Sequence, residues 1–133
     1  MKSTKNVRKL LCDTNIFIEV YRRNVAVCIE LEKIGHENIA ISDITRGELF
    51  YSAINKAELK LIRNDLDNVI VLHINEEVSE MAVNLVEKYC LSHKLDIEDA
   101  LIAATAIYYD IELFTLNVKD FKFIPELKLY NLQ

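Results

Sequence analysis

Four acids and one amide stand where this chain can bring them together: Asp13, Glu48, Asp99, Asp120 and Asn117. Asp13 abruptly ends the apolar run Leu10-Leu11-Cys12, and a helical pattern begins at once. Such a run makes a short strand buried on both faces, as in parallel sheets covered by helices. Open sheets of that kind place their ligand crevices at strand carboxyl ends, where Asp13 falls. Clustered carboxylates repel one another unless a cation neutralises them, and hard divalent cations take oxygen ligands. Mg²⁺ or Mn²⁺ fits that donor set, whereas zinc ordinarily brings His or Cys. A cation so held lowers the pKa of a bound water and stabilises charge developing on a phosphate. That chemistry suits phosphodiester hydrolysis.

Each acid has a structural alternative when taken alone. Asp13 serves equally as a turn or capping residue, and Thr14 or Asn15 is able to cap the helix that follows. Glu48 interrupts the apolar approach Thr45-Arg46-Gly47-Glu48-Leu49-Phe50-Tyr51, one to two turns past the second strand, and also reads as a half-exposed helical Glu. Gly47 costs about 1 kcal/mol against Ala in a helix interior, a cost that close approach of a backbone or ligand would justify. Asp96 is placed as an N-cap and Asp99 as its capping-box partner. The helix after Asp99, Ala100-Leu101-Ile102-Ala103-Ala104-Thr105-Ala106-Ile107, is apolar nearly all round, so Asp99 is held near the interior, where an unpaired carboxylate is costly. Thr115-Leu116-Asn117-Val118-Lys119-Asp120-Phe121 supplies a neutral oxygen and a charged one, or simply a capped turn. Together the acids are expected just beyond strand ends, on one edge of one sheet.

The elements that must position them follow from hydrophobic spacing. After Asp13, Ile16, Phe17 and Val20 continue a short helix to the Arg22-Arg23-Asn24 break. Val25 to Ile34 is a second helix with Gly35 as its stop, and Ile39-Ala40-Ile41 a buried strand. Ser42 caps a helix from Asp43 to about Ile54, and Ala57 to Asp67 forms the next, with Lys56, Lys60 and Arg63 sharing one basic face that either guides RNA or is simply solvated. Val69 to Leu72 is the third strand. Ile74 or Asn75 opens a long helix to about His93, a buried helix ends around Tyr109, and Glu112 to Thr115 is the fourth strand. A helical turn over Val118 to Phe121 follows, and Lys128-Leu129-Tyr130 reads as a last edge strand. Strands alternating with helices imply right-handed crossovers. The fold class is α/β, a three-layer α/β/α sandwich with a mainly parallel central sheet of four to five strands.

With 133 residues, 51% hydrophobic and 28% charged, the chain holds one domain with one real core, spanning 1–133. Two Gly and one Pro leave little for linkers. The start, Met1 to Lys5, is basic but has no apolar signal core behind it, and no apolar run approaches membrane-spanning length, so a cytoplasmic location without membrane contact is expected. Cys12, Cys28 and Cys90 lack zinc-site spacing and read as reduced core thiols. His36, His73 and His93 also lack ligand spacing and are expected at the surface. A net charge of −5 argues mildly against gripping nucleic acid by bulk electrostatics, less so if a metal neutralises several acids.

Four ordered blocks carry a resemblance: Leu11-Cys12-Asp13-Thr14-Asn15, Ser42-x-x-Thr45-x-x-Glu48-Leu49, Asp99-Ala-Leu-Ile-Ala-Ala-Thr-Ala106, and Thr115-x-Asn117-x-x-Asp120-Phe121. Together they resemble a PIN domain, most closely the VapC-type toxins of toxin–antitoxin pairs, over nearly the whole chain. The resemblance implies a Mg²⁺- or Mn²⁺-dependent endoribonuclease leaving a 5′-phosphate and a 3′-hydroxyl. It makes Asp13, Glu48 and Asp99 the acids that hold the metal, the first and last most directly. Asn117 matches a position that is often a fourth acid in the family, leaving Asp120 as a possible substitute. Thr14 and Asn15 are assigned to the scissile phosphate or an ordered water, and Arg46 to a phosphate or to a salt bridge. The implied partners are RNA, a cognate antitoxin and a second copy in a homodimer. Phe50, Tyr51, Ile54, Leu59 and Ile62 are candidates for an antitoxin groove, or for helix packing within one copy.

Three other readings compete. A non-catalytic PIN module binding RNA or protein is opposed by the intact Asp13, Glu48 and Asp99, though Asn117 leaves it open. A receiver-type signalling domain would want an Asp after the third strand, which here ends Val71-Leu72-His73. A haloacid-dehalogenase-like phosphatase would want Asp where Asn15 stands.

Overall fold

The computed structural model describes residues 9–131. The basic start read from the sequence falls outside them. Strand β1 (Leu10–Cys12) leads into α1 (Thr14–Tyr21) and α2 (Val25–Ile34); β2 (Ile39–Ser42) leads into α3 (Asp43–Tyr51) and α4 (Lys56–Leu66). Strand β3 (Ile70–Leu72) is followed by α5 (Glu76–His93) and α6 (Ile97–Tyr108), then β4 (Glu112–Phe114) and a 3₁₀ turn over Val118–Asp120. The strands form one sheet in the order β3-β2-β1-β4, and every pair in it is parallel.

Period-two alternation divides the side chains between two helical layers. Leu11, Ala40 and Leu113 point into a core shared with α5 and α6. Their neighbours Leu10, Cys12, Ile39 and Phe114 point the other way, against α1 and α2, and Ile41 meets α3 and α4. The three-layer α/β/α sandwich is therefore as expected, and four strands carry it. Lys128-Leu129-Tyr130 does not become a fifth: Leu129 makes one isolated parallel bridge to Leu113. Bonds from Leu113 N–H to Lys128 and from Tyr130 N–H to Leu113, each 2.9 Å, hold the segment to the edge. Tyr130 then leaves the sheet edge, its ring against Phe114 and its hydroxyl donating to the buried carboxylate of Glu30.

Asn24, Asn55 and Asn75 cap α2, α4 and α5 by accepting the N–H three residues on, and Gly35 ends α2 with φ 94°. Helix α3 stops at Tyr51, short of the expected Ile54. The Ser52 hydroxyl turns back onto the Leu49 carbonyl at 2.6 Å, and Asn55 is taken by α4, accepting the Glu58 N–H at 2.8 Å. Glu58 returns its carboxylate to the Ile54 N–H at 3.1 Å, so the segment between the helices belongs to the second one's cap.

Chain order sets the location of the crevice. From β1 the chain moves outward to β2 and β3, then crosses back through α5 and α6 to pair β4 with the other side of β1. The carboxyl end of β1 is thus the point where strand order reverses, where parallel sheets open a cleft. Asp13 is the next residue.

Gly47 is exposed, and a Cβ added there meets no atom within 4 Å. No backbone of this chain requires a glycine there. Gly47→Ala should stabilise the protein by about 0.5–1 kcal/mol. The result will be read as a raised urea midpoint at unchanged slope, and a lower midpoint would contradict this account.

Candidate active site

Asp13 caps α1 itself: one carboxylate oxygen accepts the Thr14 N–H at 2.7 Å. Neither Thr14 nor Asn15 is the cap, as either was expected to be, because β1 ends one residue before the helix and Asp13 already has the extended backbone a cap needs. The other oxygen of Asp13 accepts from the Thr115 hydroxyl at 2.8 Å and from the Asn15 amide at 3.3 Å. Asn15 in turn accepts the Leu116 N–H at 3.1 Å, tying α1 to the loop after β4. Thr115 is 3% exposed and Asp13 6%, so this carboxylate is buried and almost wholly dressed by neutral donors.

Glu48 arrives from α3. Its carboxylate accepts the Thr14 hydroxyl at 2.5 Å, and that hydroxyl also lies 3.2 Å from the buried Thr45 hydroxyl. Ser42, at the end of β2, completes the chain by capping α3 through the Thr45 N–H at 3.2 Å. The side chains of Thr14 and Asn15 therefore orient the acids in this structure.

Asp99 lies in the first turn of α6, whose N-cap is Asp96 through the Asp99 N–H at 2.9 Å. It does not follow a strand, as the sequence led us to expect of all the acids. The helix hairpin α5–α6 delivers it instead. The buried Ala100, Ala103, Ala104 and Ala106 let α6 pack closely on the sheet and carry its first turn to the carboxyl edge.

The charges of these acids act on one another. Burial, more than anything else, raises the Asp13 carboxyl above its ordinary range. The Thr115 hydroxyl and Thr14 amide oppose this, and the charges of Glu48 and Asp120 add to it. Asp99 is pushed up to about 7, first by burial and then by the charges of Asp96, Asp13, Asp120 and Glu48. Asp120, half-buried, thus belongs to the electrostatic cluster. Asn117 is exposed and gives its backbone N–H to Thr115 at 3.0 Å.

Arg46 points to a different acid. It bonds Asp43 at 3.0 Å, as does His73, and Asp43 also accepts the Ile74 N–H at 3.0 Å. Partial burial works to raise Asp43, but these donors outweigh it and hold the carboxyl below its usual range. Cys12, beside Asp13, is pushed up to about 12, by burial and then by the Asp13 charge, and is inert as a nucleophile. His36, His73 and His93 are exposed, as are Lys56, Lys60 and Arg63. Sequence reasoning did not assign the positioning hydroxyls of Thr115 and Thr45. Their signal was a hydroxyl residue at or just past a strand end that also bears an acid.

Among the described residues no three acidic, imidazole or thiol side chains close on one point as a ready-made cage. The donor set nevertheless suits a hard divalent ion. It is all oxygen, and two of its members are raised first by burial and then by their neighbours' negative charge, the second of which a cation would relieve.

A parallel sheet with acids gathered at its switch point defines a class of oxygen-ligand hydrolytic folds, and comparison places the chain within one family. Residues 10–126 match the PIN domain. The chain is 32% identical over 121 residues to Ribonuclease VapC19 of Mycobacterium tuberculosis, covering 89% of this chain and 96% of that protein. A chain of a toxin–antitoxin complex from Klebsiella pneumoniae has a TM-score of 0.77 at 32% identity, covering 90% of this chain and 95% of that one. A chain of the DNA-bound VapBC of Salmonella typhimurium has a TM-score of 0.81 at 18% identity, over 95% of this chain and 99% of that one, a likeness of fold. The chain belongs to the PIN-domain family, and the resemblance drawn from its four blocks holds.

The raised carboxyls make stability depend on pH. Asp99 titrates near 3.8 when unfolded and near 7 when folded, so between those values the folded state binds more protons. The stability tied to this carboxyl is therefore fully present below about pH 3.8 and is lost as pH rises to about 7, with Asp13 acting in the same direction. In chelator, the melting temperature of Asp99→Asn should exceed that of the parent at pH 8, and its slope between pH 5 and 8 should be shallower. Thermal melts across that range test this; parallel slopes would remove Asp99 from the charge cluster.

Proposed function

We propose that this chain is a divalent-cation-dependent endoribonuclease of the VapC type, the toxin of a pair whose second member is an antitoxin protein. The observation that carries the reading is the buried Asp13 carboxylate at the sheet's switch point, tied through Thr14 to Glu48 and set near enough to Asp99 and Asp120 for the charges to act on one another. The curated relatives bear the name ribonuclease, and the solved neighbours include toxin–antitoxin complexes. With Asp13, Glu48 and Asp99 all present, the non-catalytic alternative is not favoured.

Asp13 and Asp99 would hold Mg²⁺ or Mn²⁺, and Glu48 would complete the shell or orient a water. The ion supplies an activated water and charge neutralisation at the scissile phosphate. Everything else is the work of the chain. Thr115 and Asn15 hold the rotamer of Asp13, and the Thr14 hydroxyl holds Glu48, so these two carboxylates are already oriented by neutral donors. Asp120, through its charge on both Asp13 and Asp99, is the fourth acid; Asn117 serves by closing the loop on Thr115. Thr14 and Asn15 thus act on phosphate through the acids they position. Arg46, half-buried and already bonded to Asp43, reaches an RNA phosphate only by exchanging that partner.

Among the described residues no helix is long and apolar enough to cross a membrane, in keeping with the cytoplasmic setting proposed for a toxin. A groove of about 390 Å³ between α1, α3 and α4, lined by Ile18, Tyr21, Leu49, Ser52, Leu61 and Ile62, is the proposed antitoxin seat. Of the residues offered from the sequence, Ile62 lines this groove and also serves the core of this copy, while Tyr51 and Ile54 are 92% and 81% exposed. A homodimer completes the assembly proposed.

The test is cleavage of a mixed RNA pool in Mg²⁺ or Mn²⁺, with both ends of the products sequenced. Asp13→Asn and Asp99→Asn should each lower the rate more than about 100-fold. Thr115→Val, which removes a donor from the ligand rather than the ligand, should cost about 10- to 100-fold. Absence of cleavage by the unmutated protein across the pool, with metal bound, would overturn the reading.

A further inference from the structure

Two segments leave the acid cluster on the same side and meet in a set of stacked rings. One runs from Asp99 back through Asp96 to His93 at the end of α5; the other runs from Asp120 forward to Phe123. His93 and Phe123 stack with centroids 4.0 Å apart and planes at 11°, and Tyr89 meets Phe123 edge-on at 5.0 Å and His93 at 5.8 Å. Three residues of chain span at most about 11 Å, so the pair is tethered within that distance of Asp96 on one side and of Asp120 on the other.

The half-buried Phe123 packs on the α5–α6 core, which fixes the lower ring. His93 is exposed while Phe123 covers one face of its ring, and the Ser92 hydroxyl lies 2.8 Å from its Nδ1 and holds the ring's orientation. Lysines alternate with acids along both segments, Glu87, Lys88, Lys94 and Asp96 on one and Lys119, Asp120 and Lys122 on the other. Lys88 sits 5.4 Å from the Tyr89 ring centre, and the exposed Lys94 and Lys122 make none of the ion pairs found among the described residues. Lys94 also closes α5 with φ 56°, a left-handed conformation in which Gly or Asn is ordinarily preferred. A chain with net charge −5 thus sets cations and an aromatic platform against its most acidic cleft.

We propose that His93, backed by Phe123, is a stacking platform for an unpaired base of the RNA substrate, with Lys94 and Lys122 engaging the adjoining phosphates. The inference rests on the endoribonuclease reading and adds to it a base-stacking subsite outside the acid cluster. Stacking tolerates any base, so the platform contributes affinity and register without reading sequence.

The test uses the full chain and a single-stranded RNA carrying 2-aminopurine, whose fluorescence is quenched on stacking, together with steady-state cleavage of the same RNA. The parent and His93→Phe should quench it. His93→Ala should lose the quenching, and its KM should rise roughly five- to hundred-fold, well beyond any fall in kcat. Leu91→Ser, on the same helix and 95% exposed, should behave as the parent. Paired Lys94→Ala and Lys122→Ala substitutions, which touch no ring, should lower the salt dependence of binding by about two ion equivalents. They keep the proposal testable if His93→Ala does not fold. Equal quenching and equal KM across all variants would overturn the platform, as would a His93→Ala defect confined to association with a protein. Quenching by a parent that cleaves nothing would support the platform and count against the endoribonuclease reading alone.

Discussion

Everything at the carboxyl edge of this sheet is arranged around one electrostatic constraint. A carboxylate that is 6% exposed stands at the end of the central strand β1, with other acids close enough to raise it. The fold answers with hydroxyl and amide dipoles. Thr115, Asn15 and the Thr14 N–H satisfy the lone pairs of Asp13 without removing its charge. A lysine or arginine in their place would neutralise the cluster and leave nothing for a cation to do. The nearest candidate, Arg46, is diverted to Asp43, where His73 and the Ile74 N–H complete a separate, self-contained site.

Packing determines which acids take part. Alternation along β1 sends Leu11 toward α5 and α6 and Leu10 and Cys12 toward α1 and α2, so the strand is clamped from both faces and its end is fixed in space. Helix α3 contributes Thr45 and Glu48, one turn apart on one face, because Ser42 begins the helix directly off β2. Helix α6 brings Asp99 on a ridge of alanines that packs against both α5 and the sheet. The geometry of the acid cluster is thus a product of cap placement and side-chain volume, and a loss of either moves a carboxylate.

Much of this was legible in the chain. An apolar triplet ending in Asp13 announces a buried strand and its crevice, and the nearly all-apolar helix after Asp99 announces a buried acid. Four blocks in order were enough to identify the PIN domain. Contacts across large separations were less legible. Thr14 and Glu48 are 34 residues apart, and Asp13 and Thr115 102 residues apart. No local pattern says that one hydroxyl will meet another element's carboxylate. Asp99 was wrongly placed beyond a strand end because periodicity identifies a helix without saying what precedes it in space. The Lys128-Leu129-Tyr130 strand failed for a similar reason: its composition suits a strand, but Glu30 captures the Tyr130 hydroxyl and draws the chain off the edge after one bridge.

The same inventory narrows the proton chemistry. Cys12 borders Asp13 in sequence yet is held protonated far above neutrality, so it contributes volume to the core and nothing to the reaction. Each histidine has another employment or none at the cluster: His73 bonds Asp43, His93 stacks on Phe123, and His36 is exposed behind α2. No hydrogen bond among the described residues joins an imidazole or ammonium group to Asp13 or Glu48, whose partners are hydroxyls and amides. Asp99, half-buried, is brought up to about 7 first by burial and then by its neighbours' charge, and a cation held among these acids would oppose that rise.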